Sequence, residues 1–169
     1  MAKRRGMKPA LPPEIVAATR RFQADGVRAD LLSVRPLVPG LALAPLFAAD
    51  LVARGWGVLP EPPRSDWFEV SVAEGVTVLA SCRYHRLAYG TTRGAAAGHL
   101  DAARALAEAI GARRVWSNST ASRIIDPDSL ALLRGAHRCS NMVTEATFEE
   151  TLVLAGDAFA ALVVWTDED

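Results

Sequence analysis

The residues best suited to chemistry lie in "TTRGAAAGHLDAARAL", residues 91–106. Arg93 precedes five small residues, Gly94, Ala95, Ala96, Ala97 and Gly98, and a helical pattern follows. The first turn of a helix has free N–H groups and a partial positive charge, so it holds anions. Small side chains let phosphate oxygens approach those groups, and an arginine adds formal charge. A slack entry into a helix is written in the same letters, and both readings stay open on this stretch alone. A second constellation is "CRYH" and "HRC", which supply Cys82, His85, His137 and Cys139. Four such residues suit a tetrahedral zinc ion. On a strand, alternation puts Cys82 on the apolar face and His85 on the opposite one, where the two cannot easily share a metal. No metal site is expected, and Cys82 is expected to be buried and inert. A Cys–His nucleophile pair meets the same geometric objection.

Periodicity supplies the elements that must hold these residues. "PPEIVAATRRFQADG" reads as a helix entered through prolines and left at Gly26. "LLSVRPL" reads as a strand, and "LAPLFAADLVARG" as a helix stopped by Gly55. "WFEVSVAEGVTVLASCRY" reads as a hairpin with residues 67–73 antiparallel to 76–84 through a three-residue loop, Ala73–Gly75. In that register Val72 faces Val76, Val70 faces Val78 and Phe68 faces Ala80 on one apolar face. A two-residue loop would set Val70 and Val72 against polar partners. Leu100, Ala103, Leu106, Ala107 and Ile110 share one face of the helix that ends at Gly111. "RRVWS" is a strand, and "DPDSLALLRG" a helix capped by Asp126. The tail fits a helix or a hairpin turning at Gly156-Asp157. The β-branched residues favour the hairpin.

The expected fold is a single α+β domain with a mixed, mostly antiparallel sheet flanked by helices. Residues 76–118 are expected to form a right-handed parallel crossover. Residues 1–30 form a basic tip and an extra helix ahead of the main unit, 31–169.

With 169 residues, 50% hydrophobic and 22% charged, the chain has globular composition and length enough for a core without disulfides. A formal net charge of 0 gives no broad attraction to nucleic acid or membrane. The tip, with Lys3, Arg4, Arg5 and Lys8, reads as a solvated terminus. "LVPGLALAPLFAADLVA", the most apolar run, is broken by Pro39, Gly40, Pro45 and Asp50 and does not reach a membrane span. The start lacks the pattern of a secretory signal, and two cysteines imply no disulfide framework, so a cytoplasmic location is expected.

"RGAAAG", Arg93 to Gly98, resembles the pyrophosphate loop of the GNAT acyltransferase superfamily, with Ala96 where the first glycine is usual. "HLDAARALAEAIGARRVW" looks like that family's next helix and strand, "SVRPLVPG" like its first strand, and "DPDSLALLRG" like a later segment. The resemblance spans about residues 31–165 in element order. It implies a GNAT-like domain that binds acetyl-CoA through Arg93, Gly94, Ala95, Ala96, Ala97 and Gly98. Strands around 76–84 and 114–118 would splay to admit the pantetheine arm. The implied activity is N-acetyl transfer to an amine, of a small molecule or a protein, and the implied assembly includes a homodimer.

Such a reaction needs a base for the amine. Glu69 and His85 are the candidates, since both fall on the polar face of the expected hairpin. Some positions depart from the family. Asp126 replaces an Asn, Leu133 stands near the usual Tyr, and the stretch from Gly75 to Arg93 is short for the expected strands. These departures bear on catalysis more than on fold, and they admit acyl-CoA binding without turnover. A rival class is a non-catalytic interaction module, a regulator or inhibitor of a partner protein. Trp67, on the polar face, would be its anchor.

Overall fold

The computed structural model describes residues 10–24, 27, 29–57, 59, 67–84, 94–119, 125–126, 130, 144 and 148–167. In chain order these form α1 (Pro13–Phe22), β1 (Leu31–Pro36), α2 (Leu43–Val52), β2 (Phe68–Val70), α3 (Val72–Tyr84), α4 (Ala96–Ile110), β3 (Arg114–Ser117), β4 (Phe148–Ala155) and β5 (Phe159–Asp167). The strands make one open sheet in the order β1-β5-β4-β3-β2, and every pairing is antiparallel. The fold is thus a mixed α+β architecture with helices against an antiparallel sheet.

Alternation along the central strands divides the core. Leu152, Leu154, Ala161, Val163 and Trp165 face the layer of α1, α3 and α4. Val153, Ala155, Ala160, Leu162 and Val164 face the other way, toward Phe47 and Leu51 of α2. β4 and β5 are buried on both sides, which is why "LVLA" and "ALVVW" are unbroken apolar runs. Their hairpin turns at Gly156-Asp157 as expected. Gly156 is required there, because a Cβ would lie 2.3 Å from the Ile110 carbonyl oxygen and 2.6 Å from that of Gly111. The turn therefore packs against the carboxyl end of α4. Gly111 closes that end in the left-handed conformation, φ 66 and ψ 38. The α4 face read from the sequence is the buried one, with Ala103, Leu106, Ala107 and Ile110 all in the core and Leu100 packed against it.

The expected hairpin over 67–84 is not formed. Its first arm shrinks to the three residues of β2, and its second arm is α3. The parallel crossover over 76–118 and the strand at 76–84 fall with it. The cause is visible at Ser71. Its N–H donates to Glu74 Oε2 at 2.7 Å, and the Glu74 N–H donates to Ser71 Oγ at 3.2 Å, a reciprocal capping box that starts a helix. Every residue of α3 from Gly75 to Arg83 is buried, so the helix has no polar stripe to betray its period. Gly75, read as a turn residue, instead lets α3 sit on β3. A Cβ there would meet Val115 Cγ1 at 2.7 Å. Trp67 is only 5% exposed and belongs to the α2-side core, so it is not a surface anchor. The helix expected over 126–135 lies outside the described residues except for Asp126 and Leu130, whose N–H donates to the Asp126 carbonyl at 2.9 Å.

Candidate functional site

Of the loop singled out by sequence, Gly94 to Gly98 are described, while Arg93 lies outside the described residues, as does His85. Gly94 adopts φ +70, a conformation that favours glycine, and turns the chain into α4. Ala95 is the N-cap, extended at φ −93 and ψ 135, with no side-chain hydrogen bond to the first turn. The first turn, Ala96, Ala97 and Gly98, carries neither proline nor acid. Around Gly98 a Cβ would meet no heavy atom within 4 Å. Beneath this open turn sits His99, 7% exposed, its ring 5.6 Å from that of Tyr84 on α3. A Cβ on Gly94 would lie 3.8 Å from His99 Nε2, so the imidazole abuts the loop.

The other helices present different amino ends. α1 begins with prolines at 12 and 13 followed by Glu14, which remove donors and add an acid. α2 carries Pro45 in its first turn. The start of α3 is closed by Ser71 and Glu74. Among the described helices, the amide donors at the head of α4 are the ones with neither proline, acid nor side-chain cap beside them. They can take an anion with the helix dipole behind them.

Glu69 lies elsewhere. It pairs across the ladder with Trp116, whose side chain belongs to the α2-side core, whereas α4 packs on the opposite face. Its carboxylate accepts two hydrogen bonds from Arg114, at 2.9 and 3.0 Å, and the Arg114 guanidinium lies 4.6 Å from the centre of the Trp116 ring. These hydrogen bonds hold the Glu69 carboxyl below the usual carboxylate range, and so make it a weaker proton acceptor. The structure does not bring Glu69 together with the head of α4. Cys82 is buried in α3, and Cys139 and His137 lie outside the described residues. Among the described residues no group of three potential metal ligands occurs.

A polar cluster that the sequence reading passed over sits where β3 ends and β4 begins. Ser117, Asn118, Ser119, Glu149, Glu150 and Thr151 are all buried. Glu150 accepts from Ser117 Oγ at 2.9 Å and from Ser119 Oγ at 2.5 and 2.6 Å. Glu149, pointing to the other face, accepts from Asn118 Nδ2 at 3.0 Å and Thr151 Oγ1 at 2.7 Å. It also accepts from Thr144 through both its N–H, at 2.8 Å, and its Oγ1, at 2.7 Å. Asn118 in turn accepts from the Thr151 N–H at 2.8 Å. Such donors offset the large cost of taking a carboxylate out of water.

Glu150 shares the helix-side face with Ser117. A chain of contacts leads from Glu150 to the end of α3. Trp165 stands opposite Glu150 in the ladder, Phe22 meets Trp165 edge-on at 6.1 Å, and the buried Arg83 guanidinium lies 5.2 Å from the centre of the Phe22 ring. Arg83 adjoins Tyr84, whose ring meets that of His99 at the start of α4. The sequence signal for the buried part was "SNS" ending an apolar strand and "EET" opening one. Comparison with known proteins found no matching family model, no matching curated protein and no matching solved structure.

Proposed function

We propose that the chain binds the pyrophosphate of an acyl-CoA at the head of α4, in the service of N-acetyl transfer to an amine. The observation that carries the reading is the first turn Ala96–Gly98, with Ala97 and Gly98 exposed, no side-chain cap from Ala95, and neither proline nor acid. The chemical argument is general. Unbonded N–H groups at a helix start stabilise an anion, and small residues let it come close. The name of the anion comes from the resemblance of Arg93–Gly98 to an acyl-CoA loop. With α3 in place of a strand before that loop, and antiparallel pairing throughout the described sheet, the reading keeps the phosphate contact. It gives up the gap between splayed parallel strands. His85 is the proton acceptor this reading retains, since Glu69 is ion-paired on the opposite face.

The test is calorimetric titration of acetyl-CoA into the wild-type chain and into Arg93→Ala, with circular dichroism to establish folding. Saturable binding is expected for the wild type. The variant should bind about ten- to a hundredfold more weakly, the worth of one charge-assisted contact at ~1.5–3 kcal/mol. Release of free thiol with a panel of amines then separates transfer from binding alone. No heat at millimolar acetyl-CoA in a folded wild-type chain overturns the proposal and returns the chain to the interaction-module reading.

A further inference from the structure

We draw no further inference here: the strongest candidate, the groove of about 560 Å³ between α3 and α4 lined by Val72, Val76, Leu100, Arg104 and Ala107, is an open face with nothing in the structure to show what covers it.

Discussion

The starts of α3 and α4 lie in one helical layer and solve the same problem in opposite ways. Both expose N–H groups that their own helix cannot satisfy. At α3 the side chains of Ser71 and Glu74 close the turn, one accepting from the helix and the other reaching back to it. At α4 the corresponding positions are Ala95 and Gly98, which have nothing to offer. A capping box is worth about 1 kcal/mol to a helix. α4 does without it and is held instead by the burial of Ala103, Leu106, Ala107 and Ile110. A fully buried leucine or isoleucine contributes roughly 1.5–3 kcal/mol, enough to outweigh the missing cap. Local capping and tertiary packing are thus interchangeable as sources of helix stability. Only packing leaves the amide donors available to a ligand.

The harshest way to break the contrast is Gly98→Glu, which gives α4 the acid that α3 has at Glu74. Binding of acetyl-CoA should fall by more than about a hundredfold, because a carboxylate takes the place of the ligand at the positive end of the helix. The same change replaces a helical glycine and complements the dipole, so the folded state should gain roughly 0.5–1 kcal/mol. Titration together with urea denaturation reads both. A variant that is more stable and still binds normally would rule out the head of α4 as the ligand site.

Ser71→Ala removes the cap where it exists. Unfolding should become easier by about 1 kcal/mol, while affinity for acetyl-CoA stays within twofold. An unchanged denaturation midpoint would mean that the reciprocal hydrogen bonds at Ser71 contribute nothing. Ala95→Ser does the converse and installs a cap. It should stabilise the fold by roughly 0.5–1 kcal/mol and weaken the ligand severalfold, since the hydroxyl competes for the same N–H groups. Tighter binding in Ala95→Ser would contradict that competition.

The smallest effect belongs to Glu69→Gln. The Glu69 carboxyl is held below its ordinary range by Arg114, so its ion pair favours the fold above about pH 4.3, the unfolded carboxylate value. That contribution is lost as pH falls through the depressed folded value. Both partners are about half exposed, so solvent screens them. Glu69→Gln should therefore leave neutral-pH stability nearly unchanged and flatten the acid limb of the stability profile. A steeper acid limb in the variant would show that the direction is wrong.

Most of the framework was legible. The 3.6-residue period marked α1, α2 and α4, and Gly111 marked the end of α4. The β-branched tail with Gly156-Asp157 marked the central hairpin. α3 was not legible by periodicity because burial on every side leaves no polar face to count, and any alternation imposed on "VSVAEGVTV" is accidental. The signal that decides it is short, Ser71 followed three residues later by Glu74. A turn reading of Ala73–Gly75 hid it. The site divides in the same way. The small residues Gly94–Gly98 and the helix they open could be read, because loop and helix lie within one local window. Glu149 and Glu150 could not, because charged letters imply solvent, and only the hydroxyl and amide donors brought by strand pairing let them sit inside. Ser117, Asn118 and Ser119 come to the two glutamates from the distant end of β3, whereas Thr144 and Thr151 lie close to Glu149 in sequence.

The order of the sheet also sets a timetable. β1 finds its partner in β5, with Leu31 opposite Val164 and Pro36 opposite Phe159. At a synthesis rate of roughly 5–20 residues per second, β1 leaves the ribosome on the order of ten seconds before the strand that will cover its edge. β4 and β5, by contrast, meet across one tight turn within moments of emerging, on the microsecond scale of a hairpin. β1 therefore waits unpaired while the intervening elements are made, and β5, once it emerges, completes both of its neighbours. Cutting the chain before Phe159 should leave soluble yield dependent on chaperones, since the exposed edges of β1 and β4 are the kind that pair with other chains.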